Sequence, residues 1–287
     1  MASNMKAVKL RIKSVQSTMQ ITRAMELVAS SKLRKAKERA DICRPYFQEL
    51  YHTLKEIAEV NTDFTSPFVK ESDNVKYCYV VIAGDRGLAG GYNANLFKRM
   101  DAETAGKDYV VLPIGKKAVE YYRRRKIPIV SEAFAEIAQI TVSDCFTIAH
   151  LLCEEFRKDS FGHVALGYTR FISMLSQSTD FMKILPLDEM TEAAEGGTAE
   201  PIRDLILYEP SASEVFDAIV PEYLAGLIYG AVCESVASEL AARRNAMDAA
   251  TKNAGEMIEE LNLYYNRARQ ASITQEITEI VAGAEGV

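Results

Sequence analysis

The sequence predicts an α/β protein in which a long antiparallel coiled coil of N- and C-terminal helices carries a small α/β domain. Three observations predict it. Each end of the chain holds a sustained 3-4 apolar seam, the two ends carry opposite net charge, and the middle alternates β-branched runs with helical stretches.

The N-terminal seam steps from Met5 through Val8, Ile12, Val15, Met19, Thr22, Glu26, Ala29, Leu33, Ala36, Ala40, Cys43, Phe47, Leu50 and Leu54 to Ile57. Only Thr22 and Glu26 interrupt its apolar character. A 3-4 spacing averages 3.5 residues per turn and keeps one stripe facing a partner helix. Pro45 predicts a kink or restart, with the cleaner helix ending near Arg44, because proline removes a donor and its ring clashes with the preceding turn.

The C-terminal seam runs through Tyr229, Cys233, Val236, Leu240, Arg243, Met247, Ala250, Ala254, Met257, Leu261, Tyr264, Ala268 and Ala271, with Arg243 its single charged member. No proline follows Pro221, so one helix from about Glu222 to Ala282 is allowed. Residues 1–44 hold 11 Lys/Arg against 3 Asp/Glu, a net of +8, whereas residues 214–287 hold 5 against 12, a net of -7. Opposite signs on two matching seams favour pairing of the ends with each other over self-pairing. Helices of these lengths, ~60 Å and ~90 Å at 1.5 Å per residue, are expected to project beyond a globule whose radius of gyration would be only ~19 Å.

Between the helices, Val75 to Ala83 reads as a strand, followed by the glycine-rich loop Gly84 to Gly91 and a helix from near Asn93. A strand over Tyr109 to Ile114, a helix over Lys116 to Lys126, an extended piece around Ile127 to Val130 and a helix over Val142 to Lys158 come next. Two strands, Val164 to Ser173 and Met182 to Leu187, close the domain. This alternation implies a Rossmann-like, mostly parallel sheet flanked by helices, with the last two strands antiparallel neighbours at one edge. Residues 188–204 are acidic and poor in large apolar groups, which reads as a loop before the apolar piece Leu205 to Tyr208.

A formal net charge of -6 argues against a general nucleic-acid binder. The five cysteines, Cys43, Cys78, Cys145, Cys153 and Cys233, include no C-x-x-C pair and read as reduced thiols. No apolar run approaches ~20 residues and the start lacks a continuous apolar stretch, so neither a membrane span nor a secretory signal is expected. The loop spacing G-x-x-G-x-x-G-G matches neither the dinucleotide fingerprint nor the P-loop, and no Lys-Ser or Lys-Thr follows it. Its glycines read as permitting tight turns. His150 and Cys153 could share a helix face, but two ligands do not make a zinc site. No catalytic, metal or cofactor-binding residue is expected.

Longer motifs carry a resemblance. Arg11 to Val15 (RIKSV), Gln20 to Val28 (QITRAMELV) and Ala29 to Arg34 (ASSKLR) resemble the opening helix of F-type ATP synthase gamma subunits. Asn245 to Asn253 (NAMDAATKN) and Tyr265 to Ile280 (YNRARQASITQEITEI) are similar to that family's closing helix. Asp85 to Gly91 resembles its central loop and Leu207 to Pro210 its short foot segment. Ala89 departs from the pattern, since many relatives carry cysteine there.

The resemblance implies a bacterial central-stalk rotor that couples proton flow through a membrane c-ring to ATP synthesis or hydrolysis, with no active site of its own. It implies alpha, beta and epsilon subunits as partners, delta in the same complex, and peripheral association with the cytoplasmic face of the plasma membrane. Met25, Arg243, Arg269, Gln270 and Thr274 match positions that meet the beta subunits. Ile273, Ile277, Ile280 and Val281 would form an apolar bearing, and Ile206, Tyr208 and Glu209 would touch the c-ring. The chain then divides into an N-terminal coiled-coil helix (1–60), the α/β domain (75–187), a loop and foot segment (188–210) and a C-terminal coiled-coil helix (211–287). A nucleotide-dependent enzyme with helical arms and a self-associating coiled-coil scaffold are the rival readings; the opposite helix charges argue against the latter.

Overall fold

A computed structural model describes residues 2–60, 64–70, 72–188, 190 and 208–285, apart from the side chains of 2–4, 40, 43–44, 59–60, 283 and 285. Every seam position from Met5 to Ile57 within that description is buried or half-buried, while most residues between them are exposed. The seam belongs to one helix, α1 (Ala2–Val60), which contains Pro45. The expected end near Arg44 is therefore not found. Pro45 lies on the exposed side, where water can serve the carbonyl that it orphans. The turns beyond it bury Leu54 and Ile57 completely, and two such side chains contribute about 1.5–3 kcal/mol each, which offsets a proline penalty of about 3 kcal/mol.

The chain divides into two compact units. The first comprises Met1–Ser31 and Arg243–Val287, two segments of long helices. The Thr22 and Thr251 hydroxyls meet at 2.7 Å, and Thr251 also donates to the Met247 carbonyl at 2.8 Å. Both segments join the rest of the chain at their inner ends, Ser31 and Arg243, about equally far from this contact, so they run antiparallel. Ala29 and Ala254 are buried in the same seam, and their small side chains let the helix backbones approach.

The C-terminal seam departs from its expected course. Met257, Tyr264 and Ala271 are exposed, and their neighbours Ile258, Tyr265 and Ser272 are the withdrawn residues. On a helix, a step of four lands about 40° from its origin and a step of three about 60°. From Ala254, Leu261 and Ala268, the four-residue step wins. The shift leaves both seams continuous because Ile258 is as apolar as Met257.

The second unit, Lys32–Ala242, holds the sheet. Its strands are β1 (Tyr77–Ile82), β2 (Tyr109–Ile114), β3 (His163–Phe171) and β4 (Gln177–Leu185), in the order β2-β1-β3-β4. β1 runs parallel to β2 and β3, and β4 pairs antiparallel with β3 at the edge, as the alternation predicted. Period-two alternation sends Tyr79, Val81 and Ala83 to one face and Cys78, Val80 and Ile82 to the other. The first face is covered by α2 (Tyr92–Glu103) and α3 (Lys116–Arg125) through Leu96, Met100, Ala118 and Tyr122. The second is covered by α4 (Val142–Arg157), by the end of α1 and by the first turns of α5 (Ala212–Glu285).

Thr141 caps α4: its hydroxyl accepts from the Asp144 amide while the Asp144 carboxylate accepts from the Thr141 amide, a reciprocal capping box. α5 is long and apolar enough to meet the composition of a membrane span, contrary to the sequence expectation. Its apolar residues Phe216, Val220, Leu224 and Ile228 are fully buried in the second unit's core, which accounts for that composition.

Two outcomes follow. Leu54→Ala should cost about 2–5 kcal/mol by leaving a cavity in this core; an unshifted denaturant midpoint would mean that the helix beyond Pro45 is not embedded. Burial pushes the Cys145 and Cys153 thiols up to about 12 and raises Cys78 as well. At pH 8 these three should resist a disulfide reagent in the native protein and react after unfolding, with labelling sites read by peptide mass.

Candidate functional site

The end of α5 carries an unusual surface. Ile273, Ile277, Ile280 and Val281 are all exposed, Ile280 at 72%, and so are Arg269, Gln270 and Thr274. At about 100° per residue these seven positions fall within an arc of about 140°. The withdrawn residues Ile258, Leu261, Tyr265, Ala268 and Ser272 centre about 130° away on the same helix. The register at Thr22 and Thr251 brings Ala2, where α1 begins, level with Ala271. Beyond that level the face that met α1 turns polar, with Gln275 donating to Glu279 at 2.8 Å, while the other face becomes apolar. A sequence still folding against α1 would do the reverse. An exposed apolar stripe of this kind is the pattern expected of an interaction surface.

Met25 and Arg243 form a separate zone of the same unit. Both are half-buried, and Arg243 makes interactions within the chain. The antiparallel register sets Arg243 level with Ser30, about 7.5 Å along the axis from Met25. Nearby, Lys252 is held by Asp248 at 2.8 Å, and that hydrogen bond, with a further pull from Glu26 of the opposite helix, raises its pKa. Arg243 and Arg269 are separated by about 39 Å of helix, so the expected beta-contact residues do not make one cluster.

In the second unit, Tyr208 is half-buried against the main core, and burial followed by the nearby Glu56 carboxylate raises its phenol pKa. Glu209 beside it is exposed, and Ile206 lies outside the described residues.

The glycine-rich loop has a structural occupation. The Asp85 carboxylate accepts from the backbone amides of Lys116 at 3.1 Å, Ile137 at 3.1 Å and Ala138 at 3.2 Å. It therefore fills with a side-chain anion the N-terminus of α3, where a phosphate could otherwise sit. Gly84 donates to the Asn93 side chain at 2.9 Å, and a Cβ on Gly84 would lie 2.8 Å from a Glu239 carboxylate oxygen. The missing Cβ leaves room for the Glu239 carboxylate that α5 brings against this backbone. Ser238 of α5 also donates to the Thr169 carbonyl at 3.0 Å. Sequence reasoning missed this polar seam; its signal was Glu234, Ser235, Ser238 and Glu239 interrupting a largely apolar stretch. His150 is exposed and Cys153 buried, so the two do not face one site. Among the described residues, no group of three His, Cys, Asp or Glu side chains could hold a metal.

Comparison with known proteins bears on these surfaces. A family model described as ATP synthase matches residues 4–287. The chain is 48% identical to an ATP synthase gamma chain of Ruminococcus albus over 97% of its own length and 96% of the relative's. It is 38% identical to a sodium ion specific ATP synthase gamma chain of Acetobacterium woodii over the full length of both. Among solved structures, a chain of the Euglena gracilis mitochondrial ATP synthase OSCP/F1/c-ring assembly aligns with a TM-score of 0.70 at 18% identity, covering 100% of this chain and 95% of that one. A chain of the Tetrahymena thermophila central stalk and c-ring gives 0.61 at 22% identity, covering 80% and 99%. These likenesses establish the fold.

Removing the loop's carboxylate tests its structural use. Asp85→Ala strands three backbone donors and should cost about 2–3 kcal/mol, read as a lower thermal midpoint. An unchanged midpoint would show that the carboxylate is dispensable to the fold.

Proposed function

Because the chain belongs to the ATP synthase gamma-chain family, we propose that it is the non-catalytic central shaft of a rotary ATP synthase, coupling proton flow through a membrane c-ring to ATP chemistry in an alpha/beta ring. The observation that carries this reading is the apolar face at the end of α5, exposed and turned about 130° from the residues withdrawn along the helix below it. A ring of subunits closing around that end would cover it. Arg269, Gln270 and Thr274 border the stripe and supply directional contacts to beta subunits; Met25 and Arg243 supply a second zone further down. Tyr208 and Glu209, with Ile206, form the foot that meets the c-ring, and epsilon packs beside the sheet-bearing unit, with delta in the same complex. The protein itself reaches the membrane's cytoplasmic face only through these partners.

The mechanism follows from asymmetry. Two unlike helices present a different surface to each of three otherwise equivalent catalytic sites, so shaft angle biases each site's open-closed equilibrium differently. Moving a site from 1:99 to 99:1 takes about 5.5 kcal/mol of differential interaction, within reach of a few desolvated polar contacts plus packing. Reciprocity requires that nucleotide binding in the ring bias the shaft angle by the same free energy.

Replacing Arg269 and Gln270 together by alanine should lower ATP-driven proton pumping in reconstituted vesicles about tenfold, equivalent to about 1.4 kcal/mol of coupling. Unchanged pumping by the assembled mutant would remove these residues from the contact. Ile277→Asp should impair assembly or turnover while leaving the thermal midpoint of the isolated chain nearly unchanged, since the side chain is exposed. The enzyme alternative predicts micromolar ATP or NAD binding by the isolated chain; calorimetric titration should detect none.

A further inference from the structure

Within the second unit, a cavity of about 430 Å³ opens between α1, the strands β3 and β4, and α5. Its size lies in the range of small-molecule sites. Aromatic rings dominate its walls: Phe47 and Tyr51 from α1, Tyr168 from β3 and Tyr223 from α5. The Tyr51 and Tyr223 rings lie tilted at 39° to each other with centroids 6.0 Å apart. Two glycines of α5 shape the floor. Gly226 lets the Phe47 ring lie against the helix backbone, where a Cβ would come within 1.9 Å of it. A Cβ on Gly230 would meet nothing within 4 Å, so the missing side chain there is part of the open volume.

The charge of the lining selects the ligand. Its carboxylate is Glu234, which makes interactions of its own within the chain and lies close enough to Tyr168 to help raise the phenol's pKa after burial has done so. Among the described residues lining this cavity there is no lysine or arginine; His52 at the rim is the nearest to a base. An anion would meet ring faces and the Glu234 carboxylate, with only the Gln48 side chain, His52 and tyrosine hydroxyls to set against them. A cation gains from the negative faces of the rings and from the field of Glu234 whether or not that carboxylate is already hydrogen-bonded.

We propose that this cavity is a binding site for a small organic ammonium ion with an apolar body, seated among Phe47, Tyr51, Tyr168 and Tyr223 and bridging the part of α1 beyond Pro45 to α5. The site is independent of the shaft's contacts with its ring and stands whether or not the shaft reading holds.

Calorimetric titration of the full-length chain with benzyltrimethylammonium, set against the uncharged 3-phenylpropanol and the anion benzenesulfonate, tests the assignment. The cation is expected to bind saturably at least tenfold more tightly than either control. Gly230→Leu, which fills the floor and raises helix propensity, should abolish binding while the far-ultraviolet circular dichroism stays native. Tyr51→Leu keeps apolar area at a partly exposed position and removes one ring. It should weaken the cation roughly fivefold and leave the alcohol unaffected. Equal binding of cation and alcohol would make the cavity a general apolar crevice and overturn the proposal; so would unaltered cation binding by a folded Gly230→Leu protein, or no saturable binding at millimolar probe.

Discussion

The seam between the two chain ends is the constraint on which the rest depends. Two antiparallel helices must approach closely enough for Ala29 and Ala254 to be buried and for Thr22 and Thr251 to share a hydrogen bond at 2.7 Å. The threonines cost desolvation that a pair of leucines would not, but they meet in one register only. Sliding either helix by a turn would lose the bond between the hydroxyls, worth about 0.5–1.5 kcal/mol, while each keeps its own helix's carbonyl, Met19 for Thr22 and Met247 for Thr251. Apolar seams built from alanine and methionine are permissive about register, so a polar pair is a means of fixing it. That register in turn decides which residues of α1 and α5 lie level with one another.

The same two helices build the second unit. α1 contributes Leu54 and Ile57 to the core beneath the sheet, and α5 contributes Phe216 through Val232. Ser235, Ser238 and Glu239 then tie α5 to β3 and to the turn at Gly84. Each helix runs without a break from one unit into the other. Placing the α/β elements between the two helices in sequence makes this possible, since a domain appended at one terminus could share its core with only one of them.

What could be read from the sequence divides along physical lines. The N-terminal seam was legible because one residue type alternates cleanly with another: Leu33 and Ala36 sit among lysines and arginines. The mostly parallel sheet was legible because Val80, Val81 and Ile82 form a run apolar on both faces, as a central parallel strand must be. The shift from Met257, Tyr264 and Ala271 to Ile258, Tyr265 and Ser272 was not, because adjacent residues of like character give the 3- and 4-step seams equal weight, and only the partner helix chooses. Pro45 misled because local backbone preference was weighed without the burial further along, which is a tertiary quantity. The role of Asp85 was hidden for a related reason: two of its three donors, Ile137 and Ala138, lie more than fifty residues away. The exposed stripe from Arg269 to Val281 was legible in position, since its spacing alone puts it on one face of the helix.

That stripe also explains why apolar and polar residues divide as they do at the end of α5. In the shaft reading the tip must turn inside a sleeve, and a contact that holds one angle strongly would store energy at that angle and release it elsewhere as friction. Apolar contact is non-directional and scales with covered area, so Ile273, Ile277, Ile280 and Val281 can rotate against an apolar collar while the free energy stays nearly level. Hydrogen bonds weaken steeply when misaligned, so Arg269, Gln270 and Thr274 reward particular angles. An angle-dependent free energy is what biases one catalytic site over its neighbours, and an angle-independent one is what a bearing needs. A single helix can supply both only if the two kinds of residue occupy different heights along it. The sequence does so: the polar trio begins a turn before the isoleucines and ends as they take over, near the level where α1 begins. A charge moved into the Ile277 to Val281 turn would then act as an added detent, and a leucine at Gln270 as a lost one.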